Sequence, residues 1–131
     1  MSRPRSSYPT ELELEILKVL WAGGPTTVRK VRDELAAGGR KLAHTSIITI
    51  MNIMAEKRYL RRTKGKNGFV FAAKIGREPT LGRMLRDIID RAFRGSAAAA
   101  MLNLLETADV NDQELEQIRD LIANKTKGRR L

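Results

Sequence analysis

The sequence predicts a mainly α-helical chain in which three helices and a β-hairpin are followed by three further helices. Three observations carry this prediction. Apolar residues recur at helical spacing in six separate stretches. An Asn67-Gly68 pair stands between two short extended runs, the strongest local signal for a hairpin. Glycine or proline clusters fall at several of the boundaries between these stretches.

Residues 1–9 form a short basic arm with two prolines and with Arg3 and Arg5, which could follow a phosphate backbone or a minor groove. The first helix is expected from about Glu11 to Ala22. Thr10 and Glu13 make a capping box at its start, and Gly23-Gly24-Pro25 ends it. Leu12, Ile16, Leu17, Leu20 and Trp21 give it a buried side. The second helix spans about Val28 to Ala37, capped by Thr26 or Thr27. Val28, Val31 and Leu35 face inward, Arg29, Lys30 and Arg32 face out, and Gly38-Gly39 stops it. Arg40-Lys41-Leu42 is a candidate strand edge.

The third helix, from His44 to about Arg58, has an unusual composition. Ile47, Ile50, Met51 and Met54 form one apolar stripe. The opposite face carries Thr45, Thr49, Asn52 and Glu56, flanked by Ser46, Ile48 and Ile53. An ordinary solvated face is rich in Glu and Lys. Hydroxyls and an amide instead match base edges and phosphates, and aliphatic groups match the thymine methyl. A helix buried on both sides would also carry few charges, so the neighbouring elements have to decide between the two.

Those neighbours are basic. Leu60–Lys64 and Phe69–Ala73 are expected as paired strands, with Arg61, Arg62, Lys64 and Lys66 crowding the first strand and the turn. A purely structural hairpin has no need of so many cations. Three helices and then a basic hairpin is the order of a winged helix-turn-helix, so residues 10–76 read as a DNA-binding domain. In that reading Thr45, Ser46, Thr49 and Asn52 contact bases, Ile48 and Ile53 make apolar contacts, and Arg61, Arg62, Lys64 and Lys66 touch phosphate.

Residues 77–125 read as a helical dimerisation region, and residues 126–131 as a basic tail. A fourth helix, about Thr80 to Phe93, carries Leu81, Met84, Leu85 and Ile88 on one side. Gly95 ends it and Ser96 opens a fifth, containing Met101, Leu102 and Leu105. Asn111 and Glu114 cap a sixth, with Leu115, Ile118 and Ile122 on one face. About fifty residues rarely bury enough apolar surface to stand alone. These helices must pack back on the first domain or pair with a second copy. Pairing is favoured because the first domain has its own core, and a two-fold dimer would suit a palindromic operator.

Charge divides the chain in the same way. The net charge is +10, from 25 basic and 15 acidic residues. Sixteen basic and seven acidic residues precede Pro79, whereas residues 79–124 are net acidic. The pI of about 10.5 makes nucleic acid the leading partner. No apolar run approaches the roughly 18 residues of a membrane span, and the start does not read as a signal peptide, so a cytoplasmic location is expected. With no Cys, disulfides and thiolate metal sites are excluded. The single His44 lacks the partners of a nucleophile-base pair, and no phosphate-binding loop is present, so neither enzyme, cofactor nor metal is expected.

The segments TELELEILKVLW, LAHTSIITIMNIMAEKRYL, RAFRGSAAAAMLNLLE and NDQELEQIRDLIANK, in this order and spacing, resemble the penicillinase and methicillin-resistance repressors, the BlaI/MecI family, which includes copper-responsive members. The resemblance runs from about Pro9 to Lys125. It implies a winged helix, a C-terminal dimerisation region and repression through a palindromic operator. In the β-lactam branch it also implies relief by a membrane sensor-protease signal and a cut inside the fifth helix, at the position of Asn103-Leu104. Leu104 stands where the family usually has Phe. Ile53, and in some members Ile48, stand where relatives have Arg, which shifts base preference towards thymine methyls. The cysteine motif of the copper branch is missing. Two alternatives stay open on sequence: a winged-helix regulator controlled by a ligand or partner, and a protein that coats nucleic acid without choosing sequence.

Overall fold

The computed structural model describes residues 8–129, so Arg3, Arg5 and the last two residues of the tail lie outside the described part. The described chain runs α1 (Glu11–Gly23), β1 (Thr26–Thr27), α2 (Val28–Ala37), α3 (His44–Glu56), β2 (Leu60–Gly65), β3 (Gly68–Ala73), α4 (Arg77–Ala92), α5 (Ala97–Thr107) and α6 (Asp112–Arg129). It divides into two compact units, the first ending at Leu85 and the second starting at Arg86.

In the first unit the helix starts are set by side chains. Thr10 Oγ1 accepts from the Glu13 N–H, and Glu13 Oε1 accepts from the Thr10 N–H at 2.8 Å, closing the capping box of α1. Thr27 Oγ1 caps α2 by accepting from the Lys30 N–H. The apolar stripes of α1, α2 and α3 then meet. Ile16, Leu17, Val31, Ile47, Met51 and Met54 are fully buried, joined by Leu20, Leu35, Leu60 and Phe71. Ile50 is half-buried at the edge of this cluster. The Trp21 indole N–H donates to the Ile75 carbonyl at 3.0 Å, tying the exit of the sheet to α1.

One feature of this core was not apparent from sequence spacing. Glu13 is buried, and its second oxygen accepts from the Lys57 ammonium at 2.8 Å. The cap of α1 is thereby linked to the end of α3. Beyond Lys57 the chain leaves α3 through Arg58, whose φ of 68° lies in the left-handed region. The Arg58 N–H bonds to the Ala55 carbonyl and the Tyr59 N–H to the Met54 carbonyl, satisfying the last turn.

The sheet is three-stranded and antiparallel, in the order β1-β3-β2. Arg40-Lys41-Leu42 forms no strand. The third strand is instead Thr26–Thr27, with Thr26 opposite Phe71 and Thr27 opposite Val70. Both hairpin strands extend one residue further than expected and pair from Leu60↔Ala73 to Gly65↔Gly68. The loop residues are Lys66 and Asn67, and the positive φ that closes the turn falls on Gly68 at 118°. A Cβ on Gly65 would sit 3.1 Å from the Gly68 carbonyl oxygen, so a larger residue there would push its neighbours by a few tenths of an ångström.

α4 starts one turn earlier than the apolar periodicity suggests, at Arg77. Pro79 lies in its first turn, where no N–H is needed, and the buried Thr80 hydroxyl donates to the Gly76 carbonyl. In the second unit Ser96 caps α5 and Asn111 with Glu114 makes a capping box at α6. α6 continues past Lys125 to Arg129. These helices make few contacts with one another, and Ala100 is the one buried residue described in α5 and α6. No described helix is long and apolar enough to cross a membrane.

Candidate nucleic-acid interface

The site is built on α3. Its apolar stripe is taken up by the core, so the opposite face is left to solvent. Thr45, Ser46, Thr49 and Ile53 are exposed, and Ile48 and Asn52 are half-buried. Ile53 keeps 42% of its surface, a large exposure for an isoleucine on a helix with its own buried side. The Thr49 hydroxyl donates to the Thr45 carbonyl at 2.9 Å, which spends its proton and leaves the oxygen to act as an acceptor. The N-cap of α3 is Ala43, which has no side chain to cap it, unlike the N-caps of α1 and α2.

The hairpin is the second part. Because side chains alternate across a sheet, the four cations do not act as one group. Leu60, Arg62 and Lys64 lie opposite Ala73, Phe71 and Phe69 and share a face with them. Arg61, opposite Ala72, projects from the other face. Lys66 is at the turn. Arg61, Arg62, Lys64 and Lys66 are all exposed.

Arg62 is the cation that the fold brings to α3. Its Nη1 donates to Asn52 Oδ1 at 2.8 Å, and its guanidinium carbon lies 4.5 Å from the centre of the Phe69 ring. The two aromatic residues of β3 therefore have different roles. Phe71 is core, whereas Phe69, 46% exposed, lies beyond the core and offers its face to Arg62. Between α3, the start of α2 and the hairpin is a concavity lined by Arg29, His44, Ile48, Asn52, Arg62 and Phe69. His44 thus sits in the first turn of α3 on the wall of this groove.

The alternation of strand residues could have separated Arg61 from Arg62 on sequence alone. The link between Arg62 and Asn52 could not have been found that way, because it depends on how the hairpin lies against α3.

A family model for the penicillinase repressor matches residues 9–124. The chain is 28% identical to the transcriptional regulator BlaI of Mycobacterium tuberculosis, over 90% of this chain and 85% of the other. It is 16% identical to the penicillinase repressor of Staphylococcus aureus, over 88% and 90% of the two chains. It is 19% identical to the methicillin resistance regulatory protein MecI of Mammaliicoccus sciuri, over 86% and 91%. The helical order, the basic hairpin and a match over nearly the whole length agree, and the chain belongs to the penicillinase repressor family.

Proposed function

We propose that this chain is a cytoplasmic, dimeric, sequence-specific DNA-binding repressor that occupies a palindromic operator and blocks transcription sterically. One observation carries the reading most strongly: the outward face of α3 offers hydroxyls, an amide and two aliphatic groups beside a basic hairpin, where a solvated helix would carry Glu and Lys. In this reading Thr45, Ser46, Thr49 and Asn52 meet base edges, and Ile48 and Ile53 meet thymine methyls. Arg61, Lys64 and Lys66 meet phosphate.

The helices that follow β3 support the dimer. Met101, Leu102, Leu104 and Leu105 of α5, and Leu115, Ile118, Leu121 and Ile122 of α6, are all exposed, as are Leu85 and Ile88 of α4, while Leu81 is half-buried. So many large apolar side chains in water are unfavourable, and a second copy of the chain would cover them.

Relief of repression is proposed to follow cleavage of the Asn103-Leu104 bond after a membrane sensor-protease signals. That bond lies inside α5, and a cut there would split the apolar row that runs from Met101 to Leu105. A monomer holding one half-site loses the coupling between the two, commonly worth about 10²-fold or more in affinity.

The test is selection from a pool of duplexes with a randomised core. Wild-type protein should recover an inverted repeat, and the Thr49→Ala, Asn52→Ala double variant should recover one that has become degenerate at the base pairs those residues read. Recovery of no preferred sequence would favour a non-specific coating protein. Mass spectrometry of the chain after induction separates cleavage from control by a ligand: an intact chain in induced cells favours the ligand.

A further inference from the structure

We propose that Arg62 is a positioning residue for base readout by Asn52 and not a phosphate clamp; this rests on the DNA-binding reading given above. A guanidinium has five N–H donors and no acceptor, so the Asn52 atom that faces Arg62 must be the carboxamide oxygen. The 2.8 Å bond from Arg62 Nη1 to Asn52 Oδ1 therefore fixes which way the carboxamide is turned. Without such a partner its two ends can exchange by rotation. With it, the oxygen is held towards the hairpin and the NH2 group is left for an outside partner.

The arginine is itself held. Its guanidinium stacks over the Phe69 ring at 4.5 Å, well inside the roughly 6 Å at which a cation is attracted to an aromatic face. Arg62 lies directly across from Phe71, so Phe69 is its diagonal neighbour two residues along β3, within reach of a long side chain. Phe69 supports Arg62, and Arg62 supports Asn52. A lysine is a poor replacement for the arginine: its ammonium can approach a ring or donate to the carboxamide, but it has neither the planar face to stack nor the fixed fork that holds both contacts at once.

The consequence is a defined chemical preference. In the major groove an NH2 donor pairs with guanine N7 or O6, adenine N7 or thymine O4, and is mismatched against the cytosine N4 donor. Asn52 held in this way selects an acceptor edge at its position. Freed of Arg62, the carboxamide can turn its oxygen outward and accept from a donor, so discrimination at that base pair falls.

The experiment repeats the randomised-duplex selection with wild type, Asn52→Ala, Arg62→Met, Arg62→Lys and the Asn52→Ala, Arg62→Met double variant, and measures the salt dependence of binding for each. Positioning predicts that Asn52→Ala and Arg62→Met relax the same base pair, by about tenfold. The double variant should be no worse than either single one, and Arg62→Lys should relax that base pair as well while keeping the wild-type salt slope. A phosphate role predicts a different pattern. Arg62→Met would then weaken binding evenly on every sequence and lower the salt slope by about 0.9, and Arg62→Lys would restore both. That pattern overturns the proposal and leaves the repressor reading intact. Wild-type protein that selects no sequence overturns both. Should Arg62→Met melt at a markedly lower temperature than wild type, the Arg62→Lys selection decides by itself.

Discussion

Glu13 holds two helices with one carboxylate: one oxygen closes the cap of α1 and the other holds Lys57 at the end of α3. Removing it leaves the Thr10 N–H and the Lys57 ammonium without their acceptor, although the Thr10 hydroxyl still accepts from the N–H of residue 13. Glu13→Ala is expected to cost about 2 kcal/mol in urea unfolding, more than a cap alone. The cap was legible in the sequence because Thr10 and Glu13 are three residues apart and the motif is local. Lys57 was not, because it is 44 positions from Glu13 and only the packing of α1 on α3 joins them. Arg58 makes a contrasting case. It occupies a left-handed backbone position, φ 68°, at which a side chain costs about 1 kcal/mol relative to glycine. Arg58→Gly relieves that cost but frees the unfolded chain, so it should raise the unfolding free energy by less than about 1 kcal/mol, read from the same denaturation curves.

At the scale of elements, α3 and the hairpin should fail in different ways when mutated. Lys64→Ala and Lys66→Ala are expected to weaken binding about equally on all DNA sequences, and each should lower the salt slope by about 0.9. Thr49→Ala should leave the slope alone and erase preference at one or two base pairs, as footprints on matched and mismatched duplexes would report. The helices were largely legible because an apolar stripe, a cap and a glycine or proline stop each leave a mark in the sequence, as in α1 and α2. The hairpin was legible through its turn, although the positive φ is at Gly68 and the two loop residues are Lys66 and Asn67. β1 was not. Two threonines make no periodic pattern, and Thr26–Thr27 becomes a strand only because β3 offers an edge. Arg40–Leu42 looked more extended locally, but the structure gives it no strand to pair with.

Introducing charge into the apolar row of α5 with Met101→Glu and Leu105→Glu should give a monomer in sedimentation experiments. Affinity for an inverted repeat should fall by about 10²-fold or more, while binding to a single half-site changes little. The core around Phe71 and Ile16 contains neither residue, so unfolding of the first unit should be unaffected. That this segment would leave large apolar side chains exposed was legible from their number after Leu81 and from its shortness. Which of them lie outward was less so, because Leu104 and Leu121 also prove exposed.

Thr27 is the last residue of β1 and also the cap of α2, with no linker between them. An extra amino acid placed between Thr27 and Val28 could not be absorbed locally: it would shift the strand past its neighbour or strip the hydroxyl from the helix start. Natural variants and epitope tags that lengthen this chain should therefore be tolerated at the Lys66–Asn67 tip or around Gly38-Gly39, and rejected at the threonine pair.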